Sequence, residues 1–522
     1  MERTPPSAPQ VPLAAIDMGS NSFRLEVGQM VGGGYRRIDY LKETVRLGAG
    51  LDIGGMLSDE AAERGLACLR RFAERIQGLT PMQVRAVATQ TLREARNRDA
   101  FLQRARGALG HPIEVLSGRE EARLIYSGVA HLQPGPLPRL VIDVGGRSTE
   151  MILGRGATPT RAESFAVGCV SLTLQHFPDG RLSAGAFRAA QVAAGAELEE
   201  ALEPFAPAMR REALGSSGTA GAVSQVLAAN NIDKGLITPD GLRWLIERCI
   251  EAGHIDRLDL AGLKDDRRAV LAGGVALLYT LVAQFGIRAL QPARGALRQG
   301  VVIDLHERHE ARRSPGRVAQ GGDVRDATVR ELQRRFAVDT AQAGRVRGVA
   351  MALYAGVALT DNADAGLYNE SDRELGWACD LHELGMMVSH HDHHRHSAYL
   401  LGRVDAAGFS QSQQWQLAAM VLGQRGGLRK IEAELKRRGF ALQVLALRLA
   451  VIKCHARGRV DGQALRLESR AQGLRLRFTP EWAAVHPRTL YLLQQEAAAW
   501  ARSGALELAL EDNPGDGGAV PN

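Results

Sequence analysis

The sequence is poor in cysteine and aromatic residues and has no long apolar run. Its five cysteines among 522 residues are scattered and form no CxxC pair, which argues against a disulfide framework or a cysteine zinc site and indicates a reducing compartment. Aromatic residues make up 5%, too few for a surface that stacks single-stranded nucleic acid, so no nucleic-acid partner is expected. No apolar stretch reaches the roughly 18 residues that span a bilayer, and the first residues lack a signal core. We therefore predict a cytoplasmic protein.

The charge balance is basic, with a formal net charge of +7. Such a balance favours polyanionic partners, whether a phosphate polymer, nucleic acid or an anionic membrane. A mildly basic protein without such a partner is the alternative. The charge also permits peripheral contact with the inner face of the cell membrane.

The length predicts several domains. Strands and helices alternate up to about residue 305, which indicates an α/β region, and the chain then becomes mainly helical. In chain order, the predicted divisions are a disordered tail (1–12), a first lobe (13–130), a second lobe (131–305), a linker (306–326), a helical domain (327–442), a small C-terminal domain (443–510) and a second disordered tail (511–522).

Two segments share the pattern apolar-Asp-x-Gly-x-x-Ser-x-x-apolar. They are AIDMGSNSFRLEV and VIDVGGRSTEMIL, whose aspartates, Asp17 and Asp143, lie a domain's length apart. Each aspartate ends an apolar strand, and the turn that follows can close its N–H groups around a phosphate. One such turn is also what a plain β-hairpin contains. The pair predicts two similar lobes that face a shared cleft. Neither turn is a Walker loop, because no GxxxxGK[ST] is present and a strand follows.

The two turns supply candidate phosphate and metal ligands. Mg²⁺ is usually held by one or two carboxylates with waters and substrate oxygens, and the candidates here are Asp17, Asp143 and Glu150. The candidate phosphate contacts are Gly19, Ser20, Asn21, Ser22, Gly145, Gly146, Arg147, Ser148 and Thr149. Arg147 stands where a glycine would suit the turn. If that position needs a positive φ, an arginine there costs on the order of 1 kcal/mol. Its guanidinium would then either bind the phosphate or crowd the site.

Glu121 is the candidate general base. In SGREEARLIYSGV, Ser117 and Glu120 fit a helix capping box, whereas Glu121 begins an inward-facing stripe with Leu124 and Ile125. Desolvation there would raise the pKa of Glu121 and suit it to activating water. A glutamate placed in a first helical turn only by the helix dipole is the alternative.

Further anion contacts are predicted in three other segments. Thr91 and Arg93 lie at a strand-to-helix turn, and the arginine fork suits phosphate oxygens. GSSGTAGAV opens a helix, so Gly218 and Thr219 are candidates for an anion site at a helix N-terminus, with a tight turn as the alternative. ARGALRQG adds Arg294 and Arg298.

The run SHHDHHRHSAYLL raises the question of a metal site. His390–His396 is too dense for all its rings to converge on one ion, which favours packed or phosphate-facing histidines over a metal centre.

Taken together, these motifs resemble the exopolyphosphatase / guanosine pentaphosphate phosphohydrolase family over nearly the whole chain. The long form, with LHELG and HRHSAYLL in its helical half, is most like the long bacterial exopolyphosphatases of that family. The resemblance implies an α/β fold of two actin-like, ribonuclease-H-like lobes, then an all-helical HD-like domain and a small C-terminal α+β domain. It also implies a homodimer.

The resemblance further implies processive, Mg²⁺-dependent removal of terminal phosphate from inorganic polyphosphate, with a monovalent cation such as K⁺ as a possible second cofactor. Glu121 matches the catalytic base, Asp143 and Glu150 match metal-linked carboxylates, and the two turns with Arg93 match phosphate contacts. The candidate polymer-binding residues are Arg294, Arg298, His394, His396, Arg425 and Lys430. Guanosine pentaphosphate is the alternative substrate. A non-catalytic polyanion-binding regulator is a second alternative, and a sugar kinase or ATPase is disfavoured because Glu121 is placed for water activation.

The chain departs from the family pattern in three places. Arg147 replaces the third glycine of Gly-Gly-Gly-Ser-Thr, and Gln299 replaces the glutamate of ALREG. LGQRGGLRK stands where relatives tend to carry a His-Arg-Lys cluster, although Arg425, Arg429 and Lys430 keep the positive charge.

Overall fold

The computed structural model describes residues 11–313, 323–358, 370–461, 464–470 and 473–512. The chain forms two compact units, Met1–Glu310 and Ala311–Asn522. The break between them falls inside the predicted linker. Of the predicted disordered tails, 1–10 and 513–522 lie outside the described residues.

The first lobe of the first unit is a five-stranded sheet with helices. Its elements are β1 (Leu13–Met18), β2 (Phe23–Val31), β3 (Gly34–Glu43), α1 (Asp59–Arg75), β4 (Val84–Ala88), α2 (Gln90–Glu94), α3 (Arg98–Leu109), β5 (Ile113–Val115) and α4 (Gly118–Leu132). The sheet order is β3-β2-β1-β4-β5, in which β1, β2 and β3 are antiparallel while β4 and β5 run parallel to β1.

The second lobe repeats this plan. Its elements are β6 (Pro138–Val144), β7 (Thr149–Arg155), β8 (Thr158–Phe165), α5 (Cys169–His176), α6 (Ala184–Leu198), β9 (Glu212–Gly215), α7 (Gly218–Ala229), α8 (Pro239–Ala252), α9 (Asp265–Arg268), α10 (Leu271–Gln284), β10 (Gln291–Pro292) and α11 (Leu297–Arg313). The sheet order is β10-β9-β6-β7-β8. As in the first lobe, β6, β7 and β8 are antiparallel neighbours, while β9 runs parallel to β6 and β10 runs parallel to β9. The predicted pair of actin-like, ribonuclease-H-like lobes is confirmed.

Strand register brings both aspartates of the repeated pattern to one edge of their sheets. Asp17 lies at the end of β1 opposite Val87 of β4, and Asp143 lies at the end of β6 opposite Glu150 of β7. Both therefore sit where parallel strands end at their carboxyl side, the edge at which open α/β sheets bind ligands. Helix α4 packs on β7 and β8, with Leu124 buried as the predicted stripe requires.

Helix α11 runs through 306–313, which composition had predicted to be the start of an irregular linker. The prediction was wrong for these eight residues, because the proline and glycine that break the helical pattern occur only at Pro315 and Gly316. Asp304 and Arg308 also stabilise the helix as an i,i+4 ion pair of 2.7 Å. Residues 314–322 lie outside the described part of the chain.

The second unit is mainly helical and ends in a small sheet. Its elements are α12 (Val324–Arg335), α13 (Thr340–Ala358), α14 (Glu370–Leu381), α15 (His393–Leu401), α16 (Gln411–Gly423), α17 (Glu432–Leu435), α18 (Arg438–Lys453), β11 (Arg466–Ser469), β12 (Leu474–Phe478), α19 (Pro480–Val485), α20 (Pro487–Ser503) and β13 (Leu508–Asp512). The sheet order is β11-β12-β13.

Helix α18 crosses the predicted boundary between the helical and the C-terminal domains at 442/443. The prediction misplaced this boundary, because FALQVLALRLAV is a continuous apolar helix whose residues join one core with both Trp377 and Trp500. The second predicted tail also begins too early, since Glu511 and Asp512 complete β13. Among the described residues, no helix is long and apolar enough to cross a membrane.

Candidate active site

A pocket of about 80 Å³ lies where the two Asp-Gly turns meet, between the lobes of the first unit. The predicted residues that line it are Asp17, Gly19, Ser20, Asn21, Ser22, Glu121, Asp143, Gly145, Gly146, Ser148, Gly218, Thr219 and Arg298. The structure therefore brings together residues from five separate sequence motifs.

The first turn presents polar groups without partners. Asn21 Nδ2 and Ser22 Oγ are buried, line the pocket and have no hydrogen-bond partner among the described residues. Buried donors of this kind normally bind something, because an unpaired buried polar group costs about 1–3 kcal/mol. Thr91 lies behind the turn and donates to Ser20 Oγ at 2.8 Å, so it supports the turn instead of facing the pocket.

The second turn is held close to the first. A Cβ at Gly146 would lie 3.0 Å from the Cβ of Ser20 and 3.2 Å from Val170, so glycine is required for this approach. Gly145 N–H donates to the Ser148 carbonyl at 2.9 Å and closes the turn. Thr149 is fully buried and donates to the Val167 carbonyl at 2.6 Å. The structure thus places Thr149 in the sheet and away from the pocket, contrary to its prediction as a phosphate contact.

Arg147 corrects two expectations. Its backbone does not have a positive φ, so the arginine imposes no strain of the kind predicted. Its guanidinium does not line the pocket. It donates from Nε to Glu94 Oε2 at 3.0 Å and from Nη1 to the Gly48 carbonyl at 3.2 Å, and its Nη2 atom lies 2.9 Å from Glu94 Oε2 in an ion pair. The residue of this turn that has no room for a side chain is Gly146, whereas the side chain of Arg147 extends to the other lobe.

Glu121 lies in the pocket wall and is buried. Arg93 donates from Nη1 to Glu121 Oε2 at 2.7 Å and to the Leu116 carbonyl at 3.1 Å. Burial raises the pKa of Glu121 to about 7, against the opposing effect of Arg93. A carboxyl group with a pKa near neutrality is suited to general base catalysis.

Two further carboxyl groups surround Glu121. Burial raises the pKa of Asp143 to about 6. Burial, together with the charges of Glu121 and Asp143, raises the pKa of Glu150 well above its usual range, and Glu150 accepts a hydrogen bond of 2.8 Å from Ser164. Beside them, Arg24 lies 3.5 Å and Arg298 lies 3.8 Å from the Oδ2 atom of Asp17.

This acidic group fits a cation by its chemistry, since buried carboxylates that repel one another are relieved by positive charge. The fit is to a partly hydrated ion. Within the described residues, no three His, Cys, Asp or Glu side chains converge closely enough to hold a metal by themselves. Mg²⁺ is commonly bound through one or two carboxylates together with waters and phosphate oxygens, an arrangement that needs no such cage.

Two arginines of the pocket were missed in the sequence. Arg24 and Arg267 both line it, and a Cβ at Gly218 would clash with the guanidinium groups of both. They therefore cover the N-terminus of α7, where the helix dipole also favours an anion. Burial and nearby Arg298 lower the pKa of Arg24. The hairpin register pairs Arg24 with Asp17, and this pairing could have indicated that Arg24 lies near the pocket. Arg267 lies in KDDRRAV, a segment with no motif that indicates a phosphate contact.

The other predicted polymer contacts are dispersed. Arg294 is exposed in the first unit and does not line the pocket. His394, His396, Arg425 and Lys430 belong to the second unit. There His394 is buried, and Lys430 donates to the Arg425 carbonyl at 2.6 Å. Of the histidine run, His393 and His394 point inward while His390 and His391 are exposed, so the rings do not converge.

Comparison with known families decides the class. The sequence model described as the Ppx/GppA phosphatase family matches residues 27–309, which is more than half of the chain, and the model of domain III of Ppx/GppA phosphatases matches residues 324–497. The chain belongs to the Ppx/GppA phosphatase family. Membership assigns it phosphatase activity, a hydrolysis, at the level of the family.

Solved structures of Ppx/GppA relatives resemble the chain over slightly more than half its length. An exopolyphosphatase-like protein is 24% identical, with a TM-score of 0.51 over 57% of this chain and 98% of its own. The Ppx/GppA enzyme of Aquifex aeolicus is 24% identical, with a TM-score of 0.48 over 56% and 99%. An exopolyphosphatase from Cytophaga hutchinsonii is 23% identical, with a TM-score of 0.49 over 56% and 97%. The similarity to the first of these concerns the fold.

Proposed function

We propose that the protein is an exopolyphosphatase, which hydrolyses the terminal phosphate of inorganic polyphosphate with Glu121 as general base and Mg²⁺ as cofactor. The observation that carries the proposal is the composition of the pocket. Unpartnered buried donors and arginines that suit an anion surround one desolvated glutamate that suits water activation. These are the parts that phosphoryl transfer needs, since positioning and charge stabilisation supply most of its catalysis.

The terminal phosphoryl group would bind between the two turns. Asn21 and Ser22 supply donors from the first turn and Ser148 from the second, while Arg24 and Arg267 add charge at the start of α7. The remaining phosphates would extend out of the pocket toward solvent.

Glu121 would accept a proton from the attacking water. The water oxygen bonds to phosphorus while the bond to the bridging oxygen breaks, so the products are orthophosphate and a polymer shortened by one unit. Arg93 keeps a fraction of Glu121 ionised despite its burial. Asp143, Glu150 and Asp17 would hold Mg²⁺, which would supply charge neutralisation at the phosphoryl oxygens.

A second candidate function is the 5′-phosphohydrolysis of guanosine pentaphosphate. A neighbouring pocket of about 120 Å³ favours it. Ser20 and Asn21 line both pockets, and the second one is otherwise mainly apolar, with Val170, Leu174 and Val270 in its wall. An apolar recess beside a phosphate site is suited to a nucleobase.

One assay separates these functions. The purified protein is incubated with Mg²⁺ and either long-chain polyphosphate or guanosine pentaphosphate, and the released phosphate is measured. Faster turnover of the polymer supports the first proposal, and faster turnover of the nucleotide supports the second. Leu174→Ala, which opens the second pocket, should slow only nucleotide turnover. If the protein binds polyphosphate but releases phosphate from neither substrate, both proposed activities are contradicted and a non-catalytic regulator is favoured.

The catalytic role of Glu121 is tested by the substitution Glu121→Gln. It keeps the shape and the hydrogen bond from Arg93 but removes the base. We expect kcat to fall by about 10²–10⁴-fold with little change in polyphosphate binding. Near-normal turnover would contradict the assignment of Glu121.

A further inference from the structure

Arg147 joins the two lobes of the first unit across the rim of the pocket. It belongs to the phosphate turn of the second lobe, whereas Glu94, at the end of α2, and Gly48 both belong to the first lobe. The guanidinium uses all three of its nitrogen atoms in these contacts. Its side chain is 20% exposed and that of Glu94 is 31% exposed, so the pair lies at the edge of the cleft.

Both segments that Arg147 binds also hold the phosphate turn of the first lobe. Gly48 N–H donates to the Ser20 carbonyl at 2.7 Å, and α2 carries Thr91, which donates to Ser20 Oγ at 2.8 Å. The contacts of Arg147 therefore reach Ser20 through two independent routes. Together with the close approach of Gly146 to Ser20, they fix the distance between the two turns.

Helix α2 also connects this contact to the general base. Arg93 and Glu94 are adjacent in α2, and Arg93 pairs with Glu121 while Glu94 pairs with Arg147. The helix is only five residues long and is tied to a charged partner by each of these two residues. A shift of α2 on loss of the Glu94 pair would move Arg93 relative to Glu121.

We propose that Arg147 and Glu94 are a pair of positioning residues that hold the two phosphate turns at their working separation, an inference that rests on the proposed phosphatase site. Neither Arg147 nor Glu94 lines the pocket. The alternative is that Arg147 binds the phosphate directly, and the two hypotheses predict opposite roles for Glu94. In a positioning pair both members help binding, whereas Glu94 would compete with the phosphate if Arg147 were a ligand.

The test is a double-mutant cycle on polyphosphate hydrolysis, with kcat and KM measured for Arg147→Gln, Glu94→Gln and the double variant. Each single change should raise KM about three- to tenfold, the range expected for one partly exposed ion pair with a second contact, while kcat changes less. The double variant should be no worse than Arg147→Gln, which already loses the contacts to both Glu94 and Gly48. Arg147→Glu with Glu94→Arg, which reverses the pair, should recover part of the lost affinity.

Arg75→Gln is the matched control, because Arg75 forms an ion pair with Asp39 at 3.0 Å away from the pocket. It should leave KM unchanged. A lower KM in Glu94→Gln would overturn the proposal and identify Arg147 as a phosphate ligand. Additive effects, or no recovery in the reversed pair, would overturn it as well.

The test of the positioning pair can be distinguished from the test of the proposed phosphatase activity. If the unmodified protein releases no phosphate, the proposed activity fails. The same cycle can then be measured on the Kd for polyphosphate by calorimetry. Coupling of the two residues in that Kd supports the positioning role without any turnover, and its absence contradicts the role.

Discussion

Arg93 Nη1 donates a hydrogen bond of 2.7 Å to Glu121 Oε2 inside the wall of the phosphate pocket. Burial raises the pKa of Glu121 to about 7, and Arg93 opposes this effect. The arginine thus controls how much of the glutamate is ionised, and so available as a base, near neutral pH.

Removing this charge should move the pH dependence of the reaction. In Arg93→Met the pKa of Glu121 rises further, so less carboxylate is present at pH 7. The acid limb of kcat/KM should shift to higher pH by about one unit or more, equivalent to about 1.4 kcal/mol per unit. The measurement is the pH profile of kcat/KM from pH 5.5 to 9. Arg93→Lys keeps the charge and should shift the limb less. An unchanged limb in Arg93→Met would show that another group titrates.

The raised pKa values of Glu121 and Asp143 also predict how the metal-free protein responds to pH. A buried acid with a raised pKa holds its proton longer in the folded state than in the unfolded state. Stability is therefore lost as pH rises from about 4 through the folded pKa values near 6 and 7. The loss is on the order of 2–3 kcal/mol for each group.

The corresponding measurement is the thermal midpoint in EDTA at pH 5.0 and pH 7.5. The midpoint should fall as pH rises. Mg²⁺ should raise the midpoint more at pH 7.5, where the carboxylates are ionised, and Asp143→Asn should flatten the dependence. Asp304, whose pKa its arginine neighbours lower despite burial, does not titrate in this range. A midpoint that rises with pH would contradict the burial of these acids.

The sequence predicts the position of a residue where that position depends on a local pattern. Asp17 and Asp143 end strands, and the turns after them lie in the pocket, because a short motif determines its own strand, turn and ligand-facing groups. Ser117 caps α4 as predicted, accepting from Glu120 N–H at 3.2 Å, and this places Glu121 in the first turn. The duplicated lobe plan followed from the repeat of one motif.

What the sequence did not reveal depends on contacts between distant segments. Nothing local to Arg147 indicates that Glu94 lies across the cleft, so the sequence leaves open whether its guanidinium binds the phosphate or crowds the site. Arg267 reaches the pocket from the short helix α9, whose sequence carries no motif. The helical start of the predicted linker was missed because 306–313 has many charges and a weak apolar pattern, while its helix is continuous with the buried start of α11.

Arg24 and Arg267 should contribute to polyphosphate affinity. Arg267→Ala removes one cation from the start of α7, and we expect KM for polyphosphate to rise about tenfold at low salt, with a weaker dependence of KM on salt. The measurement is KM at 50 and 200 mM KCl. Arg188→Ala, an exposed residue of α6 outside the pocket, is the control and should change neither value. Equal effects of the two substitutions would indicate a general charge effect.

Gln299, a departure from the family pattern, donates hydrogen bonds to the carboxylate of Glu26. Its Nε2 atom lies 2.7 Å from both carboxylate oxygens of Glu26, and its Oε1 accepts from Ala296 N–H at 3.0 Å. Glu26 is fully buried. Burial alone would raise the pKa of Glu26, but hydrogen bonding from Tyr35 and the charge of Arg298 lower it, so the group is held as a carboxylate.

Gln299→Glu introduces the glutamate that the ALREG pattern has at this position but should destabilise this protein. It replaces the donor with a second carboxylate against a buried one, a change worth about 2–4 kcal/mol. Denaturant unfolding at pH 8 should show the loss, and the loss should shrink at pH 5, where one of the two carboxyl groups is protonated. The double variant with Glu26→Gln reverses the roles of the two side chains and should recover most of the stability. Equal losses at both pH values, or no recovery in the double variant, would show that Gln299 acts through its shape and not through its charge.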